Sequence, residues 1–239
     1  MKRLFALIVS KCNRKTRRAL RFPKPLCIID STTVTVGKNR LSWAPYHGER
    51  SGVKLHVAYL SEQDSPMDTV ETIARRHDGP VGEALADRRY ILVEDRAYFK
   101  IERIDQFVED GQLFVIWMKD NVEMYRRKSL QRWVSNDSNI LVDFTCQLGT
   151  KQYRSQKRHR VVMFQDTNER EIRMVTNMLN VSAEKIADMY RERWAIKVFF
   201  LWVKQYLNVP TLFGTMENAV YNQPTLCRLH RLRPASLAL

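Results

Sequence analysis

The sequence predicts an α/β fold with a mixed sheet flanked by helices. Three features carry that expectation: short apolar runs that end in acids, helical segments alternating with them, and a long apolar helix towards the C-terminal end. Leu26-Cys27-Ile28-Ile29 follows Pro23 and Pro25 and delivers Asp30, and Tyr90-Ile91-Leu92-Val93 delivers Glu94 and Asp95. Four apolar residues between turn formers suit a strand buried on both faces, as parallel pairing between helical layers requires. Alternation of such strands with helices implies an α/β layer with at least some parallel pairing.

Taken in order, residues 1–21 suit a basic helix that ends before Phe22-Pro23-Lys24-Pro25, where two prolines impose an extended segment. The first strand follows at 26–29, a second alternates over 53–59, and a third covers 69–74. A short helix at 81–86 precedes the strand at 90–93. The next helix, 99–108, stops near Gly111, and a strand follows at 113–118. From 121 to 180 the helical period fades and β-like pieces appear at 140–146, 160–165 and 172–176. Ser182 is a suitable N-cap for one long helix running through Lys204. The expected organisation is a basic N-terminal remnant (1–24), the first part of the core (25–120), a β-rich insertion (121–180), the last core helix (181–215) and an irregular tail (216–239).

The chain has 239 residues, long enough for one large core or two modest ones, with 40 Lys and Arg against 26 Asp and Glu, a net charge of +14. Such a balance favours a polyanionic partner, because each neutralised phosphate releases condensed counterions. The basic residues cluster. Lys2, Arg3, Lys11, Arg14, Lys15, Arg17, Arg18, Arg21 and Lys24 all precede the first acid, Asp30, and Lys151, Arg154, Lys157, Arg158 and Arg160 form a second run. Either run suits a backbone-tracking groove or a merely solvated face. Cys12, Cys27, Cys146 and Cys227 are too scattered for a zinc site or disulfide framework and fit reduced thiols. The apolar stretch 4–9 is too short for a signal-peptide core or a membrane span, so a cytoplasmic location is expected.

Read as one helix, residues 190–204 place Tyr190, Arg193, Lys197 and Lys204 within roughly 60° of one another. That stripe of a phenol and three cations suits phosphate, while Trp194, Ile196, Val198, Phe199, Phe200, Leu201, Trp202 and Val203 around it require deep packing. Asp30 and Asp95 at strand ends supply hard oxygen donors of the kind that two-metal phosphoryl transfer uses. Alone, each is as well explained as a turn former.

Together these residues resemble the insertion-sequence transposases of the Asp-Asp-Glu type, in the insertion-sequence four family. Cys-Ile-Ile-Asp-Ser-Thr-Thr (27–33) is similar to the family's first-aspartate strand, and Val-Glu-Asp-Arg-Ala-Tyr-Phe (93–99) to its second-aspartate motif, with Ala97 where glycine is common. Gly52-Val53-Lys54-Leu55-His56 and His77-Asp78-Gly79 match recurrent stretches, and residues 190–204 match the Tyr-x2-Arg-x3-Glu-x6-Lys signature except that Lys197 stands in the glutamate's place. The resemblance spans about residues 22 to 223. It implies a ribonuclease H-like core interrupted by a β insertion, Mg²⁺ or Mn²⁺ on Asp30 and Asp95 with Lys197 in the place of the third, glutamate ligand of the catalytic set, and phosphate contacts from Tyr190, Arg193 and Lys204. It also implies a bacterial, nucleoid-associated protein acting on double-stranded DNA at transposon ends and targets, as a homodimer or with an intact transposase.

Three departures qualify the implied activity. Few residues precede the core, and after residue 223 the sequence leaves the family pattern, as a truncation or frame change would make it do. An ammonium at 197 removes a metal ligand and is expected to pair with Asp30 or Asp95. Glu94 and Asp120 are read as surface acids. The sequence therefore leaves open a transposase with impaired cleavage, a non-catalytic DNA-binding remnant or inhibitor of an active transposase, and the product of a decayed element.

Overall fold

A computed structural model describes residues 21–130, 138–206 and 214–222, which form a single nine-stranded sheet with helices on both faces. The strands are β1 (Leu26–Gly37), β2 (Arg50–Leu60), β3 (Ser65–Ile73), β4 (Ile91–Glu94), β5 (Phe114–Trp117), β6 (Met124–Ser129), β7 (Ile140–Leu148), β8 (His159–Gln165) and β9 (Glu171–Thr176). Across the sheet they run β3-β2-β1-β4-β5-β9-β8-β7-β6. The three central strands β1, β4 and β5 are parallel, and the remaining pairings are antiparallel. The helices are α1 (Asp78–Leu85), α2 (Ile101–Glu109), α3 (Ala183–Arg191) and α4 (Trp194–Tyr206). This is the mixed sheet flanked by helices that the sequence predicts.

Alternation of side chains along the buried strands divides the core in two. Leu26 and Ile28 of β1 and Ile91 and Val93 of β4 point to the face covered by α3 and α4, through Ile186, Ala187, Tyr190, Ile196, Phe199 and Val203. Cys27 and Ile29, with Leu92, point to the face covered by α1 and α2, through Val81, Leu85, Ile104 and Phe107. Cys27 and Cys146 are free thiols inside this second layer, and burial pushes both above the ordinary thiol range.

Three sequence expectations change. First, β1 runs for 12 residues rather than four. Only its apolar start is flanked on both sides; beyond Ile29 it pairs with β2 alone, so its outer residues are free to be polar. Second, β6 was not expected, because Met-Tyr-Arg-Arg-Lys-Ser is an exposed edge strand without apolar alternation. Third, the long helix is two helices. At Glu192 and Arg193 the backbone leaves the α pattern, and Arg193 N donates to Tyr190 O and Ala195 N to Glu192 O, both bonds of the tighter i−3 type. Neither proline nor glycine sits there; the turn is held by tertiary partners of Glu192 and Arg193. Ser182 does cap α3, accepting from Lys185 N. The expected helix at 1–21 falls almost wholly outside the described residues, as does the tail beyond 222. Among the described residues no helix is long and apolar enough to cross a membrane.

Arg160 ties β8 to its neighbours. It is fully buried, forks onto Asp143 of β7 with two 2.7 Å bonds, and donates to the carbonyls of Met178 and Val181 just before α3. Removing one member of a buried pair strands the other, at a cost of about 3–5 kcal/mol. Arg160→Met is therefore expected to lower the urea midpoint strongly, with Arg160→Met/Asp143→Leu regaining most of the loss. A single variant within about 0.5 kcal/mol of wild type, the range of an ordinary surface change, contradicts this.

Candidate active site

The parallel register pairs Ile29 of β1 with Glu94 of β4, so the next residues, Asp30 and Asp95, emerge side by side on the α3–α4 face just where β4 ends. Asp30 thus lies part-way along its strand rather than at its end, but at the open edge left by β4. The two carboxylates are held alike. Asp30 Oδ1 accepts from Ser31 N at 2.8 Å, and Asp95 Oδ1 accepts from Arg96 N at 2.6 Å, capping the 3₁₀ turn Arg96–Tyr98. Each is left with Oδ2 facing inward.

Arg193 occupies the space between them. Its Nη1 lies 3.1 Å from Asp30 Oδ2 and 3.0 Å from Asp95 Oδ2, and its side chain is only 9% exposed. The turn after α3 makes this reach possible, and the turn is pinned from the other side by Glu192, which accepts from Arg21 Nη1 and Ser61 Oγ. Burial raises the Asp30 carboxyl above its ordinary range, while Arg193 and the Ser31 N–H pull it back. Tyr190 flanks the arginine, with the guanidinium carbon 5.2 Å from its ring centroid, and meets Trp117 edge-on at 6.0 Å. Burial pushes its hydroxyl up to about 12, so the ring acts as a neutral packed phenol.

The expected pairing of Lys197 with Asp30 or Asp95 is overturned. Lys197 is exposed, with Nζ 5.4 Å from the Trp194 ring centroid, and only its distant charge lowers the Asp30 carboxyl. Arg193 takes the pairing because it enters from the break in the helix. Lys204 is also exposed, seven residues further along α4, or about 10 Å of helix rise. The single phosphate-facing stripe is therefore divided into a buried pair, Tyr190 and Arg193, and two exposed lysines. Glu94 is a further correction: its side chain points through the sheet to the α2 layer, where it is fully buried against Arg103 Nη2 at 2.5 Å. Arg103 also donates to Tyr98 O, so it clasps both ends of the Asp95 turn. Asp120 remains a surface acid, 66% exposed.

These donors do not fit a two-metal centre. Each aspartate has one oxygen on a backbone N–H and the other on a shared guanidinium. Among the described residues no group of three His, Cys, Asp or Glu side chains is placed to hold a cation. Glu94 is on the wrong face and Glu192 is engaged elsewhere.

The two other matched stretches meet behind Asp30. Lys54 and His56 on β2 approach Asp78 at the start of α1, with Lys54 Nζ at 3.0 Å and His56 Nδ1 at 3.6 Å, and Ser31 Oγ donates to the same carboxylate. At the far end of the same strand pair Gly52 lets β2 lie close to β1, since a Cβ there would lie 2.9 Å from Val34 O. The cluster braces β1 from the opposite face. Sequence reasoning saw no role for it, because the stretches are far apart in the chain and converge only through β2–β1 pairing.

The basic runs divide likewise. Arg21 pairs with Asp188 and Glu192, and Lys24 donates to Arg88 O; the earlier members lie outside the described residues. In the second run Arg160 is buried and Lys157 pairs with Glu109 at 3.3 Å, whereas Arg154 stacks on Tyr125 at 3.8 Å. Arg96, which the sequence marked only as part of the second-aspartate motif, and Arg170, which it did not mark, both lie over Trp117.

Residues 21–228 match the family model for the transposase DDE domain. The chain belongs to that family. This transposase domain is 71% identical over 223 residues to a probable transposase for insertion sequence element IS5377 of Geobacillus stearothermophilus, covering 93% of this chain and 59% of that protein. A relative from Sinorhizobium fredii, also named as a transposase, is 28% identical over 90% of this chain and 61% of its own length. The domain thus spans about three-fifths of the curated relatives it matches. A cryo-EM structure of a piggyBac transposase synaptic complex with hairpin DNA aligns with 97% of this chain and 50% of its own at 10% identity and a TM-score of 0.49.

The brace makes stability pH-dependent. Burial lowers His56 from an ordinary 6.5 to about 4. Between those values the unfolded chain binds a proton that the folded one refuses, so stability is full above about pH 6.5 and falls as pH drops towards 4, by up to about 3 kcal/mol. Urea denaturation across this window should show a smaller acid loss in His56→Gln than in wild type; identical slopes contradict the assignment.

Proposed function

We propose that this chain derives from a transposase that cuts DNA at insertion-sequence ends and joins them to target DNA, and that it still holds DNA but does not cut it. The observation that supports this reading is the Arg193 guanidinium seated between Asp30 and Asp95 with no third acid beside them among the described residues. In active members Mg²⁺ or Mn²⁺ would be held by Asp30, Asp95 and a glutamate at position 197. In this chain the two aspartates position Arg193 instead. Tyr190 packs against that guanidinium, and the exposed Lys197 and Lys204 meet DNA phosphates. Residues 121–180 act as a β-rich insertion between the core and its last helices, and the protein works in the bacterial cytoplasm, at the nucleoid.

Lys197→Glu tests the proposal. A carboxylate at 197, a position within electrostatic reach of Asp30, would supply a third acid and can draw the guanidinium away from the aspartates. Manganese titration by calorimetry is expected to show saturable binding in Lys197→Glu and none in wild type, with nicking of transposon-end duplex confined to the variant. Wild-type binding or nicking equal to that of the variant contradicts the proposal.

One observation favours a second reading, inhibition of an intact transposase through mixed oligomers. Trp194, Val198 and Leu201, spaced i, i+4, i+7 on α4, are 68%, 51% and 60% exposed, an apolar stripe typical of association surfaces. Co-expression with a full-length relative is expected to give a mixed complex that Leu201→Glu weakens; an unaffected relative, running alone on gel filtration, excludes it.

A further inference from the structure

Resting on the DNA reading above, we propose that Arg96 and Arg170, both stacked on Trp117, form a clamp for the DNA phosphate backbone beside the aspartate pair. Each guanidinium carbon lies 4.9 Å from the Trp117 ring centroid. The two cations come from distant parts of the chain: Arg96 directly follows Asp95, and Arg170 closes the turn before β9. Their convergence on one indole follows from the strand order, since Trp117 ends β5, which pairs with β4 on one side and β9 on the other.

Surface cation–π contacts explain one such arginine at about 0.5–1 kcal/mol. They do not explain two like charges gathered on one ring with so little to neutralise them. Arg96 has one distant partner, Asp120 at 3.8 Å, which is itself 66% exposed. Arg170 has no carboxylate partner among the described residues, is exposed, and extends from a turn shaped by Asp166. A planar guanidinium that is stacked and therefore pre-oriented, with free N–H groups, is suited to forked binding of phosphate.

The clamp lies in line with the rest of the site. From Asp30 on β1 through Asp95 on β4 and Trp117 on β5 to the edge of β9 is three strand spacings, roughly 14 Å. That length corresponds to about four base-pair rises along the axis of a duplex. A backbone crossing the sheet on this line would meet Lys197 at one end and Arg96 with Arg170 at the other. With Arg193 offsetting one of the two aspartate charges between them, the repulsion that it meets there is reduced.

The test is fluorescence anisotropy of a labelled 30-base-pair duplex with the full chain in EDTA, over a salt series, with circular dichroism of each variant. Arg96→Gln/Arg170→Gln is expected to weaken binding and to reduce the slope of log K against log salt by about 2, close to 0.9 for each phosphate no longer neutralised. Arg170→Lys should recover the slope that Arg170→Gln loses. Arg89→Gln, which removes an exposed arginine at the opposite end of β4, should leave the slope unchanged. If wild type binds with a steep salt dependence and the double variant keeps the same slope, the clamp is wrong and the DNA reading stands. An equal loss in Arg89→Gln also overturns the clamp, reducing it to general charge. If wild type shows no salt-dependent DNA binding, both fail.

Discussion

One terminal nitrogen of Arg193, shared between Asp30 and Asp95, organises the centre of this molecule. Two carboxylates on neighbouring strands repel, and at 15% and 25% exposure water does little to screen them. Removing the guanidinium would leave two acids facing each other against a wall of Tyr190, Trp117 and Ile196. The ion pair therefore explains the break between α3 and α4: a continuous helix would carry residue 193 around a regular cylinder, whereas the tighter turn lets it drop into the sheet.

Whether the pair stabilises the fold outright is a separate matter, because desolvating three charged groups offsets much of the Coulomb gain. Its clearer effect is on specificity. The pair fixes where α4 starts, and so which of its faces is buried. Ile196, Phe199, Phe200 and Val203 pack on the sheet while Trp194, Lys197, Val198 and Leu201 face outward. The network behind the sheet, Ser31, Lys54, His56 and Asp78, acts on the same strand from the other side. Arg103, clasping Glu94 and Tyr98, does so for the Asp95 turn. Each aspartate thus rests on a polar brace that reaches its strand from the opposite face of the sheet.

The parts of this arrangement that were legible in the sequence are those set by local pattern. Apolar runs marked the starts of the buried strands β1, β4 and β5 to within a residue, and Ser182 marked the start of α3. The spacing of Asp30, Asp95, Tyr190, Arg193 and Lys197 marked the family. What could not be read depends on long-range geometry. The extension of β1 relies on β2 continuing beside it, and β6 is held by an edge pairing that needs no apolar pattern. Periodicity predicted an unbroken helix because nothing in residues 190–194 disfavours one; only the acids 163 and 98 residues away draw Arg193 out. For the same reason the counterion was assigned to Lys197, the residue that departs from the family pattern, when the arginine already in the motif fills that place. The burial of Glu94 and Arg160 was likewise invisible, since a charged side chain is read as exposed until its partner is known.

If Arg193, and not a metal ion, is the resident counterion of the aspartate pair, manganese should find no place there. A crystal structure of the wild-type chain soaked in manganese, with anomalous diffraction recorded at the manganese edge, tests this most directly. The expected result is no anomalous peak between Asp30 and Asp95 and density for the Arg193 guanidinium within hydrogen-bond distance of both. A manganese peak bridging the two carboxylates, with Arg193 swung out of the site, would contradict it.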